Sequence, residues 1–124
     1  MKKLAGKKIL IVDDEAMLRE VMVEFLNQEG ASVIEAENGT VGFEKLLENK
    51  IDIIISDVCM PEGDGLSLLK QIKAIDLGYN PLVFLYSGHA DTETLDTVKS
   101  LGATGYFIKP FSVRDLIKVL ESYF

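Results

Sequence analysis

The 124 residues of this chain suit one domain with a two-sided core and are too few for two domains of ordinary size. With 48% hydrophobic and 27% charged residues the composition is globular, and no tract looks unable to pack. A net charge of -7 argues against direct binding to nucleic-acid phosphates or anionic lipid and favours proteins and cations as partners.

The chain opens on "MKKLAGKK", and residues 1–7 are expected to form a flexible lysine-rich arm on a single domain spanning 1–124. The apolar stretch that follows is too short for a signal peptide, and the longest apolar run, "LVFLY", is too short to span a membrane. A cytoplasmic location is therefore expected. Cys59 is the only cysteine, which excludes an internal disulfide and any multi-cysteine metal site.

Five β-branched runs then alternate with stretches of helical period. "KILIV" at 8–12 predicts the first strand, followed by Leu18, Val21, Met22, Phe25 and Leu26 at helical spacing. "ASVIEA" at 31–36 precedes Phe43, Leu46 and Leu47; "IDIIIS" at 51–56 precedes Leu66, Leu69, Ile72 and Ile75. "PLVFLYS" at 81–87 leads to Leu95, Val98 and Leu101, and "GYFI" at 105–108 to Val113, Leu116, Ile117 and Leu120. The simplest role for these stripes is core packing. Such a (βα)5 alternation predicts an α/β fold, a doubly wound five-stranded parallel sheet with helices on both faces. Gly30, Gly78 and Gly102 fall just past helical stripes, where positive φ is expected.

In open parallel sheets, function gathers beyond the carboxyl ends of the strands. The first strand ends on Asp13 and Asp14, the third on Asp57, the fourth on Ser87 and the fifth on Lys109. In the order 2-1-3-4-5 the ends of strands one and three are neighbours, so three carboxylates converge and require compensation. Mg²⁺, a hard cation that takes oxygen ligands, would supply it, and Lys109 would offset further charge. A carboxylate is a nucleophile without deprotonation, so the set suits phosphoryl transfer to an aspartate, assisted by positioning and charge stabilisation. Taken alone, the Asp13–Asp14 pair reads as well as a helix cap. The bond from Lys109 to Pro110 is of the kind that can be cis, which would aim the lysine back at the site.

"VDDE", "SDVCMPEGDG", "YSGH" and "GYFIKPF" resemble the signatures of response-regulator receiver domains, the family of the single-domain chemotaxis regulator, along the whole chain. The resemblance implies the flavodoxin-like order 2-1-3-4-5. It implies Asp57 as phosphoacceptor, Mg²⁺ held by Asp13, Asp14, Asp57 and the Cys59 carbonyl, and Lys109 paired with the phosphoryl group. Ser87 and Tyr106 would be the switch pair. Cys59 and His89 would flank the phosphoryl group and set its lifetime, and Leu18 and Phe111 match positions where receivers dock a kinase or phosphotransfer helix bundle. The expected function is a phosphorylation-activated switch, fed by a histidine kinase, a phosphotransfer protein or a small phosphodonor. It would control a downstream protein through the fourth helix, fifth strand and fifth helix. It would assist its own phosphorylation without being a turnover enzyme, as a monomer or a weak phosphorylation-dependent dimer. The chain shows no output domain, so it is either a stand-alone receiver or a module of a larger regulator.

Three rivals remain at this stage. An aspartyl-nucleophile phosphatase of the haloacid-dehalogenase type expects an acid two residues after the nucleophile, where Cys59 stands. A flavodoxin-like carrier needs a phosphate-cradling first loop, where Asp13, Asp14 and Glu15 would repel phosphate. A binding-only receiver would lack an acid, the acceptor or the lysine, and all are present.

Overall fold

The computed structural model describes residues 2–58, 64–88 and 92–124. Elements alternate along the chain as β1 (Lys8–Val12), α1 (Ala16–Gln28), β2 (Ser32–Ala36), α2 (Gly39–Glu48) and β3 (Ile53–Asp57). They continue as α3 (Gly65–Ala74), β4 (Leu82–Ser87), α4 (Thr92–Ser100), β5 (Gly105–Ile108) and α5 (Val113–Glu121). The strands pair in parallel in the order β2-β1-β3-β4-β5, as expected. β3 runs one residue further than its apolar pattern, because Asp57 still pairs in register with Tyr86.

Alternation along the strands divides the core into two layers. Ile9, Ile11, Ile53, Ile55, Phe84 and Tyr86 face Met22 and Leu26 of α1 and Leu116, Ile117 and Leu120 of α5. Leu10, Val12, Ile54, Val83 and Leu85 face α2, α3 and α4. Each fully buried isoleucine of β3 is worth about 1.5–3 kcal/mol relative to exposure, so the central strands carry much of the fold's hydrophobic stabilisation. The helices start where the sequence offers caps: Asn38 accepts from the Val41 N–H, Asp64 from Ser67 and Ser112 from Asp115. Gly30 and Gly102 close α1 and α4 with φ of 82° and 81°.

Three stripe residues do not pack inward as expected: Val21 is 43% exposed, Leu47 59% and Ile75 36%. Val21 and Leu47 sit at the margins of stripes already filled by Met22, Leu26 and Leu46, and Ile75 follows the last residue of α3. In the amino-terminal segment, Leu4 is fully buried in the α1–α5 layer, and the Gly6 N–H donates to the Gly30 carbonyl at 2.9 Å. Among the described residues no helix is long and apolar enough to cross a membrane.

Candidate phosphorylation site

Four polar side chains are buried among the described residues: Asp13, Ser56, Asp57 and Ser87. Three of them stand at the carboxyl ends of β1, β3 and β4. Buried polar groups need partners, so their surroundings define what this rim can do.

Asp13 follows β1 and is fully buried. Its Oδ1 accepts from the Glu15 N–H at 2.8 Å and its Oδ2 from the Tyr86 hydroxyl. Glu15, not either aspartate, is the residue before α1, so the acid pair is not a helix cap. The Arg19 guanidinium donates to the Asp13 carbonyl and to Glu35 Oε1, which fastens the turn after β1 to α1 and β2. Burial pushes the Asp13 carboxyl above its ordinary pKa; hydrogen bonds from Tyr86 and Glu15 oppose this, and the charge of Asp57 adds to it.

Asp57 ends β3. Its carbonyl lies where a Cβ on Gly65 would stand 2.3 Å away, so α3 begins against the acceptor strand only because residue 65 is glycine. The Gly65 N–H donates to the Val58 carbonyl at 3.1 Å and closes that approach. Asp13, Asp14 and Asp57 each offer a carboxylate oxygen within 4.8 Å of the others. This all-oxygen set, with Asp14 open to solvent, fits a hard divalent cation that keeps part of its water shell.

Lys109 follows β5, and its Nζ lies 3.1 Å from Asp57 Oδ2 and 3.9 Å from Glu15 Oε2. The Lys109–Pro110 peptide is cis. Burial works to lower the lysine pKa, but the hydrogen bond and charge of Asp57 outweigh it, and the ammonium titrates above its ordinary value. Ser87 is buried at the end of β4, where its carbonyl accepts from the Lys109 N–H at 2.8 Å. Tyr106 is half-buried on β5, opposite Leu85 and packed on the α2–α4 layer. The structure therefore gathers Asp13, Asp14, Asp57 and Lys109 at one spot and sets Ser87 beside them, with Tyr106 on the neighbouring strand.

Leu18 and Phe111 are half-buried against the α1–α5 layer, so the contacts seen for them are packing contacts. Cys59 and His89 lie outside the described residues. Sequence reasoning missed Tyr86, which it counted as one more apolar strand residue. A tyrosine in a strand buried on both faces needs a partner for its hydroxyl, and that was the available signal. Burial, and then Asp13, hold the Tyr86 hydroxyl protonated far above its ordinary range.

The structure thus sets an aspartate at the switch point of a parallel sheet of this order, with a lysine on it and two further acids beside it. The family model for the response regulator receiver domain matches residues 9–121, and the chain belongs to that family, the receiver domains of two-component signalling. It is 30% identical to sporulation initiation phosphotransferase F of Bacillus subtilis, over 97% of this chain and 95% of that protein. It is 34% identical to chemotaxis protein CheY of the same organism, over 92% of this chain and 94% of that one. With the probable C4-dicarboxylate response regulator DctR of Priestia megaterium identity is 37%, but the chain spans only 50% of that protein's length. Among solved structures, chemotaxis protein CheY4 of Vibrio cholerae superposes with a TM-score of 0.89 at 29% identity, over 97% of this chain and 100% of that one.

Proposed function

We propose that the chain is a phosphorylation-activated switch whose acceptor is Asp57. The observation that carries this reading is the Asp57 carboxylate, buried at a strand end, 3.1 Å from Lys109 Nζ and within 4.8 Å of oxygens from two more acids. A carboxylate so held can attack phosphorus: the new bond is Asp57 oxygen to phosphorus, and the bond broken joins phosphorus to a donor nitrogen or oxygen. The donor is a histidine kinase, a phosphotransfer protein or a small molecule such as acetyl phosphate. Asp13, Asp14 and Asp57, with the Cys59 carbonyl, would hold Mg²⁺, which when bound neutralises charge gathering on the phosphoryl oxygens.

Lys109 exchanges its contact with Asp57 for one with the phosphoryl group. Ser87 then donates its hydroxyl to a phosphoryl oxygen, and Tyr106 turns into the space behind it. These contacts exist only in the phosphorylated form, so they bias an equilibrium of the α4–β5–α5 surface, which binds a downstream protein. Leu18 and Phe111 would border the face that a donor helix bundle approaches, and Cys59 and His89 would tune the lifetime of the phosphoryl group. The module works in the cytoplasm, as a monomer or a weak phosphorylation-dependent dimer, and turns over no external substrate.

Intact-mass measurement after incubation with acetyl phosphate and Mg²⁺ tests the reading. One phosphate adduct is expected, absent in Asp57→Asn and in chelator. A wild-type chain that stays unmodified and also fails to bind beryllofluoride would leave a binding module without a phosphorylation switch.

A further inference from the structure

Tyr86 stands at the centre of the site, yet the switch reading gives it no task. It is fully buried and pairs in register with Asp57, and its carbonyl accepts from the Val58 N–H at 2.9 Å. Its hydroxyl donates to Asp13 Oδ2, across 73 residues of chain. The Lys109 Nζ lies 5.1 Å from its ring centroid, and the Phe111 ring lies 5.1 Å from it at 53°. One side chain thus touches the buried acid, the lysine and the ring that follows the lysine.

Phenylalanine would fill the same space, as Phe84 does two residues earlier in the same layer. The hydroxyl therefore has one visible use, which is Asp13. Each Asp13 oxygen already has a fixed donor, the Glu15 N–H on Oδ1 and Tyr86 on Oδ2, so the carboxylate cannot rotate without losing one of them. Each oxygen keeps a further lone pair. The ring acts separately: an aromatic face within about 6 Å of an ammonium attracts it. That ammonium is the one beside Asp57.

We infer that Tyr86 is a positioning residue for phosphorylation: its hydroxyl locks the Asp13 carboxylate in the orientation that completes a divalent-cation cage, and its ring carries Lys109 beside Asp57. The inference rests on the Mg²⁺ reading of the three acids. Loss of a hydrogen-bond partner behind a metal ligand typically costs about 10–100-fold in metal affinity, and one neutral hydroxyl belongs at the lower end.

The test is calorimetric titration of Mg²⁺ into the unphosphorylated chain, comparing wild type, Tyr86→Phe and Phe84→Leu. Tyr86→Phe keeps the ring and the packing and is expected to bind Mg²⁺ about tenfold more weakly. Phe84→Leu perturbs the same layer without touching Asp13 and should bind as wild type does; an equal loss there would reduce Tyr86 to a packing residue. A Tyr86→Phe affinity within about twofold of wild type overturns the inference while leaving the metal reading standing. A wild-type chain that binds no Mg²⁺ overturns both. Tyr86→Leu also removes the ring, so Asp57 should accept phosphate from acetyl phosphate more slowly than in Tyr86→Phe; equal rates would overturn the role of the ring.

Discussion

The central strands and the edge strand β5 come from equally apolar sequence, yet they are built to different tolerances. β1, β3 and β4 are buried along nearly their whole lengths and hold Asp13, Asp57, Tyr86 and Ser87. β5 is half-buried from Gly105 to Phe107 and ends on Ile108, 46% exposed, and the α4 beside it buries only Val98. A side chain in the sealed region has neighbours on every side and is fixed by them. Elements with few buried contacts open at lower cost, and moving elements are drawn from them. The proposed phosphate chemistry would need the first kind of region and a readout surface the second; the two regions meet where the Lys109 N–H bonds the Ser87 carbonyl.

Substitutions sharpen that contrast in order of size. Asp57→Asn should abolish the phosphate adduct outright, and with it any response of β5 to acetyl phosphate. An adduct of undiminished yield would move the acceptor elsewhere.

Gly65→Ala should come next, because a Cβ 2.3 Å from the Asp57 carbonyl oxygen meets backbone that the sealed region cannot move. It should cost about 1–3 kcal/mol in chemical denaturation and slow phosphorylation. Gly105→Ala at the edge places its Cβ 2.8 Å from a ring carbon of the buried Phe84, a side chain rather than backbone, and should cost less. The reverse ranking would contradict the assignment of rigid and yielding halves.

Asp13→Asn should stabilise the metal-free protein at neutral pH while weakening Mg²⁺ binding, a case of stability given up for a functional site. The sign follows from the raised pKa of Asp13. Below the ordinary value of 3.8 the carboxyl is protonated whether folded or not and costs nothing; as pH rises through that value and on through the higher folded one, the buried charge destabilises the native state. Stability curves of wild type and Asp13→Asn measured against pH should therefore separate above that point. Lys109 acts oppositely. Its raised pKa adds stability that is fully present below 10.5 and is lost as pH climbs through the folded value. Parallel curves for wild type and Asp13→Asn across the acid range would show that the site is not strained by its own acids.

The smallest effect belongs to the edge. Ile108→Thr should change stability by less than about 0.5 kcal/mol, against roughly 1 kcal/mol for Ile55→Val in β3. It should nevertheless weaken binding of whatever protein reads the phosphorylated face.

The sheet was legible because strand runs and helical stripes follow local periodicity, and the strand ends carried the acids and the lysine in plain view. What stayed hidden depends on register between distant segments. Tyr86 meets Asp13 only because β1, β3 and β4 lie side by side, and the Glu15–Lys109 pair needs β1 and β5 brought into one sheet. Leu4 reads as part of a charged arm until α1 and α5 provide a layer to bury it. Val21 and Leu47 keep the helical period but fall outside the arc that the sheet covers.

The most direct measurement is amide hydrogen exchange of the chain with and without beryllofluoride and Mg²⁺. The account predicts altered protection along α4 and β5, residues 92–100 and 105–108, with β1 and β3 unchanged apart from the residues at Asp13 and Asp57. A mimic bound at Asp57 that leaves α4 and β5 exchanging as before would contradict it.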